Sequence, residues 1–343
     1  SIRRQRQMCI RDSLKCADPK PTNRYQSAQD VLSGIQKALP TPVAKLPKKD
    51  SAPLVNPIVA SIRSLYTRST AGAANTLGLG SSFASETYVG TKLDNALIPD
   101  IVQGNLDVVF LTGNPGDGKT SFLQQIEKEL RALGAQGENH SWGWLLEVQG
   151  RIFHAIYDAS ESYEDMTSDD LVTSALSKVS EGSYTALLAV NDGRLRQFFL
   201  DNTEAFPEFA DEVELFFKGL KTSLPRFAIV DLKMRSLAAT DGPQIAVAIM
   251  DKLTSQEAWK ICENCSSKPQ CPSFNNSTQM AGPSREKISR LLLTSHLRRT
   301  KRATLRQIRS TLGYLITADL SCEDVHEAVV NNEDLSSTSG LSL

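Results

Sequence analysis

Between residues 107 and 232 the chain alternates short apolar runs with stretches of helical period. Asp107, Val108, Val109, Phe110, Leu111 and Thr112 form a β-branched and aromatic run that reads as a buried strand. In residues 121–133 the apolar positions are Phe122, Leu123, Ile126, Leu130 and Leu133, the spacing of one helix face. Further apolar runs at 144–148, 152–157, 185–190 and 227–232 are separated by helical patterns at 171–179, 194–200 and 212–220. Strands alternating with helices predict an α/β fold with a parallel sheet and helices on both faces. From Pro243 onward strand-like runs cease, and residues 245–262, 285–297 and 304–316 all carry helical patterns. The expected division is a core over 58–240 and an α-helical lid over 241–330.

Ahead of the core, Ile58, Ile62, Leu65 and Tyr66 predict a short helix, and residues 72–82 a loop rich in glycine and serine. Residues 40–57 contain five prolines and three lysines, the composition of an extended linker. The serine-rich residues 331–343 are expected to be a disordered, truncated end. Residues 1–13 are set apart, because residues 3–12 resemble the translation of a transposase sequencing adaptor.

Composition narrows the classes little. With 38 basic and 39 acidic residues, global charge gives no argument for nucleic-acid or membrane binding. No apolar run approaches the roughly 18 residues of a membrane span, and no signal peptide is visible, so a cytoplasmic protein without membrane contact is expected. Six cysteines, three of them clustered, fit reduced thiols or a metal site better than a disulfide framework.

Between the first strand and its helix lies Gly113-Asn114-Pro115-Gly116-Asp117-Gly118-Lys119-Thr120, followed by Ser121, a match to G-x-x-x-x-G-K-[ST]. The glycines permit positive φ, which turns backbone N–H groups toward a phosphate chain at a helix N-terminus. Lys119 would reach the β- and γ-phosphates of ATP, and Thr120 would hold Mg²⁺. Thr91-Lys92-Leu93-Asp94 matches the guanine-reading [NT]-K-x-D pattern, but it precedes the loop, follows a poor strand and has no D-x-x-G companion. ATP is therefore expected rather than GTP.

Hydrolysis needs a carboxylate at a strand end to hold Mg²⁺ through water. Two segments offer one: Asp158 with Glu161, and Asn191 with Asp192. Chain order favours the second, with Asn191 on Mg²⁺-bound water and Asp192 polarising the attacking water. Asp231 or Arg235 would then end the next strand, near the γ-phosphate. Asn191 adds no charge where an aspartate is usual, which leaves open a nucleotide-dependent scaffold with little hydrolysis.

Two further clusters carry chemistry. Cys262 and Cys265 form a C-x2-C step, with Cys271 close behind, a pattern suited to Zn²⁺. A fourth ligand is not local; His296, Cys322 and His326 are the distant choices, and an iron–sulfur cluster is disfavoured for want of a nearby fourth cysteine. As a helix, residues 302–309 would place Arg302, Arg306 and Arg309 on one face, to meet nucleotide phosphates or the backbone of DNA.

Cys16, Asp18, Pro19, Pro21, Arg24 and Tyr25, followed by a helix with Val31, Leu32, Ile35 and Leu39, resemble the end of a protein kinase C-lobe. Residues 14–39 are read as the remnant of such a domain, without the loops that transfer phosphate. Together with the P-loop, Asp158 to Glu161, Asn191 to Leu195, the cysteines and the arginines, the order of segments is similar to large bacterial Ser/Thr kinases fused to an AAA-like ATPase, of the PglW type found in phage growth limitation and BREX systems. The resemblance implies an ATPase module in phage defence, other defence-system proteins as partners, and a capacity to oligomerise.

Overall fold

The computed structural model describes residues 54–66, 82–163, 166–234, 237, 242–298 and 303–335. The adaptor-like and kinase-like segments, most of the linker, Arg235 and Arg302 lie outside the described residues.

The first strand, β1 (Val108–Thr112), is buried along its whole length. It pairs in parallel with β5 (Tyr184–Ala189) on one side and β6 (Phe227–Asp231) on the other. Next to β5 lies β4 (Arg151–Ile156), also parallel. Beyond it, β3 (Gly143–Val148) and β2 (Gln136–His140) run antiparallel, so the six-stranded sheet has the order β2-β3-β4-β5-β1-β6. The expectation of a wholly parallel sheet is thus corrected to a mixed α/β sheet. Only Gln149 and Gly150 separate β3 from β4, both at positive φ (53° and 75°). A turn that short joins antiparallel neighbours; a parallel connection needs a crossover.

Helices cover both faces, as the alternating pattern predicts. Val109 and Leu111 of β1, with Leu187 and Ala189 of β5, pack against α3 (Lys92–Val102) and α4 (Lys119–Ala132) through Ile98, Ile101, Phe122, Leu123, Ile126 and Leu130. Val108, Phe110, Ala186 and Leu188 face the other way, onto α5 (Ser168–Ser177), α6 (Asp192–Asp201) and α7 (Pro207–Phe217). Successive strand residues point to opposite faces, so each strand contributes to two cores.

A second body is helical. It comprises α1 (Pro57–Arg63), α2 (Ser82–Glu86), α8 (Gly242–Leu253), α9 (Gln256–Trp259), α10 (Pro272–Ala281), α11 (Arg285–Arg298), α12 (Leu305–Thr317) and α13 (Cys322–Val330). Val59 and Ile62 of α1 join Met250, Leu253, Ile308, Leu312 and Ile316 in its core. The helix preceding the sheet in sequence therefore packs with the helices that follow it. The single helix expected over 245–262 breaks at Thr254 and resumes as α9 and a 3-10 turn, Lys260–Asn264. No described helix is long and apolar enough to cross a membrane.

Two predictions arise from the sheet. An added Cβ at Gly143 would lie 1.9 Å from the Ala155 carbonyl oxygen across the hairpin. Gly143→Ala is expected to destabilise the chain by about 3 kcal/mol, read from urea unfolding. His154, 4% exposed, has Nδ1 within 2.6 Å of the Tyr184 hydroxyl. Burial, aided by the charges of Lys178 and His140, pushes its pKa from 6.5 down to about 4. The unfolded chain then binds this proton more readily, so stability falls as pH drops from 6.5 toward 4, by about 3 kcal/mol in total. His154→Gln should flatten that part of the stability–pH profile; an unchanged slope would reject the assignment.

Candidate nucleotide-binding site

The loop between β1 and α4 is organised by its own backbone. Gly113, Gly116 and Gly118 have φ of 142°, 91° and 93°. Asp117 is buried; its carboxylate accepts from the Asn114 N–H (2.8 Å), and its own N–H donates to the Asn114 carbonyl (3.2 Å). The first bond of α4 runs from Phe122 N–H to the Gly118 carbonyl, so the N–H groups of Lys119, Thr120 and Ser121 have no acceptor within the helix. That end of the helix is also the positive end of its dipole. Asn114 and Pro115, at the loop tip, are exposed.

Lys119 lies back across the loop. Its Nζ donates to the carbonyls of Gly113 (2.7 Å) and Asn114 (3.4 Å) and to Asn191 Oδ1 (3.2 Å). Burial lowers its pKa from the usual lysine value, while Asp158, Asp117 and Asp192 oppose the shift, Asp158 most strongly. The lysine thus contacts the loop and the Asn191 strand end directly, and feels the charge of Asp158 at the other.

Those ends are joined to each other. Ala159 N–H donates to the Ala189 carbonyl (2.7 Å), and Asn191 N–H donates to Ser160 Oγ (2.9 Å). Thr120 Oγ1 donates to the Tyr157 carbonyl (3.4 Å), beside Asp158. Asp158 Oδ1 accepts from Ser160 N–H (2.9 Å), and the Glu161 N–H donates to the Asp158 carbonyl (3.3 Å). Asp192, first residue of α6, is instead ion-paired with Lys233, which also lies 3.6 Å from Asp231. The contacts therefore place Thr120 next to the Asp158 end and engage Asp192 with a lysine that the sequence reading did not single out.

The helical body reaches the loop through α12. Thr304 caps this helix, accepting from Gln307 N–H (3.3 Å), a capping pair legible in sequence as T-x-x-Q. Arg306 N–H donates to the Gly116 carbonyl (3.2 Å), and a Cβ at Gly116 would come within 3.0 Å of Arg306 Cβ. Only glycine accommodates both that approach and the positive φ. Arg306 is exposed at the loop, and its charge lowers the Lys119 pKa. Arg309 turns elsewhere, donating to Thr87 Oγ1 (2.5 Å), and burial lowers its pKa. The expected arginine face thus divides: Arg306 meets the loop, and Arg309 is tied into the helical body.

Thr91 and Asp94 form a helix cap. Asp94 is buried and accepts from the Thr91 N–H (2.7 Å), the Thr91 hydroxyl (2.5 Å) and the Tyr88 hydroxyl. The resemblance to a guanine-reading motif reflects the start of α3.

Cys262, Cys265 and Cys271 line a separate cavity, together with Cys322 and His326. His296 is engaged away from it, accepting from Ala303 N–H (3.3 Å). Comparison of the chain with family models, with curated proteins and with solved structures finds no match.

Proposed function

We propose that the chain binds ATP with Mg²⁺ at residues 113–120 and hydrolyses it. The observation that carries this reading is the convergence on one loop of positive-φ glycines, a helix N-terminus, Lys119 and Arg306. Such a loop binds polyphosphate through backbone N–H groups and the helix dipole, and its lysine supplies a mobile positive charge. Thr120 and Asp158 would hold Mg²⁺, whose charge offsets that of the phosphates. Asn191, already in contact with the lysine ammonium, would meet the γ-phosphate side, and Arg306 would sense the nucleotide from the helical body.

A second reading, a nucleotide-dependent switch with little turnover, is favoured by the pairing of Asp192 with Lys233, which withholds that acid from the attacking water. In either reading, ATP alters the contact between α12 and the loop. The kinase-like and defence-related roles implied by the sequence resemblance extend this proposal to signalling between fused modules.

The test is titration of the purified chain with Mg²⁺·ATP and Mg²⁺·GTP, alongside multiple-turnover phosphate release. ATP binding is expected, with Arg306→Ala weakening it about 10- to 100-fold through loss of a charge-assisted contact. No saturable ATP binding by the parent chain would reject both readings. Binding with less than one turnover per chain would select the switch.

A further inference from the structure

We propose that Lys233 distinguishes a nucleoside triphosphate from a diphosphate at this site, an assignment that rests on nucleotide binding at residues 113–120. Its ammonium exchanges Asp192 for the γ-phosphate when a triphosphate enters, and stays on Asp192 when a diphosphate does.

Sheet order puts Lys233 at the mouth of the loop. β1 lies between β5 and β6, and all three run parallel, so their carboxyl ends stand side by side. Ligands of open α/β sheets bind in the crevice outside those ends. Asp231, last residue of β6, is in register with Thr112, last residue of β1, and Gly113 opens the loop from there. Leu232 packs so close that an added Cβ on Gly113 would lie 3.4 Å from its own. On the opposite side of β1 the chain leaves β5 through Val190, whose N–H donates to the Leu111 carbonyl (3.0 Å), and continues into Asn191 and Asp192. The Lys233–Asp192 pair therefore links the two strands that flank β1, beside the end from which the loop emerges.

The side chain is suited to an exchange. Asp231 Oδ1 accepts from the Lys233 backbone N–H (2.8 Å), which fixes the main chain and leaves the flexible side chain to swing. The ammonium meets Asp192 and lies 3.6 Å from Asp231. The hydrogen bond to Asp192, with the charges of both aspartates, holds its pKa above the usual lysine value, so it is a cation throughout the neutral range. Both members of the pair are partly exposed, and solvent screening makes such a contact inexpensive to give up. Lys119 differs: it is buried and rests on the neutral Gly113 and Asn114 carbonyls and Asn191 Oδ1.

Position decides which phosphate Lys233 meets. Backbone N–H groups of a loop with this pattern cradle the α- and β-phosphates, and its lysine reaches on toward the γ-phosphate. The Lys119 ammonium is aimed at Asn191, so the strand-end side of the site is the γ side. Asp192, the next residue, holds Lys233 there. A diphosphate ends short of that pair. A triphosphate brings a terminal phosphoryl group, a stronger anion than one carboxylate and one with more acceptor oxygens, and takes the ammonium over.

The whole chain is titrated with the Mg²⁺ complexes of ADP and of the β,γ-imido analogue of ATP, as the parent, Lys233→Met and Lys233→Arg. Lys233→Met is expected to weaken the triphosphate analogue about 10- to 100-fold, the worth of one charge-assisted contact, and ADP by less than about threefold. Lys233→Arg keeps the charge and should recover most of that loss. A lysine that only fastened α6 to β6 would change both affinities alike or neither. Acetylation of the parent by acetic anhydride, read by mass spectrometry, gives a result that does not depend on the variants folding. Lys233 should be labelled equally in the free chain and with saturating ADP, and protected by the triphosphate analogue. Equal loss of both affinities in Lys233→Met, loss of neither, or equal labelling of Lys233 with both nucleotides bound would overturn the role of Lys233 and leave nucleotide binding standing. A parent chain that binds neither nucleotide would overturn the binding site itself, and the role of Lys233 with it.

Discussion

Lys119→Ala is expected to reduce affinity for Mg²⁺·ATP by about 100- to 10,000-fold and to remove measurable turnover. The ammonium now rests on the carbonyls of Gly113 and Asn114 and on Asn191 Oδ1. Exchanging these for phosphate oxygens would give at least two charge-assisted bonds, together worth about 3–6 kcal/mol. That range corresponds to the stated loss. The variant also leaves the Gly113 carbonyl and Asn191 without their donor, so its thermal unfolding must be recorded beside its binding. A folded Lys119→Ala chain that binds ATP within threefold of the parent would refute the phosphate-binding role of the loop.

The second large effect separates the two acids. Asp158→Asn is expected to lower turnover on the order of 100-fold, with a raised requirement for Mg²⁺, because the residue next to Tyr157, whose carbonyl Thr120 contacts, would lose its charge. Asp192→Asn should lower turnover by less than about fivefold. It also breaks the pair with Lys233, a partly exposed contact worth at most about 1 kcal/mol. The reverse ranking would assign the metal to the Asn191 end, as chain order suggests. Phosphate release measured across a Mg²⁺ titration for both variants distinguishes the two assignments.

How much of this arrangement is legible along the chain depends on the distance over which it is built. The loop is legible because strand, glycines, lysine and helix are contiguous, and their conformations follow from residue type. β2 is not, because Gln136, Gly137, Glu138, Asn139 and His140 are all exposed and carry no apolar alternation. Its place comes from pairing with β3, whose Trp144 and Leu146 are fully buried. The antiparallel hairpin is hidden for a related reason. Apolar runs mark strands without marking direction, and the two-residue Gln149–Gly150 link is what decides it. Asp192 reads as an available acid until folding brings Lys233, 41 residues away, against it.

The chain by itself determined the apolar strands β1 and β3 to β6 with the helices between them, the glycine-rich loop at 113–120, and the C-x2-C step at Cys262 and Cys265. These depend on neighbours within a few residues, where side-chain type and backbone preference act directly. Only the tertiary structure decided that Asn191 meets Lys119, that Arg306 rather than Arg309 reaches the loop, and that Cys322 joins the cysteine cavity. Lys119 and Asn191 are 72 residues apart, and Asn56 and Cys322 are 266 apart. Contacts at such separations arise when packed cores bring elements together, and no local period or motif encodes them.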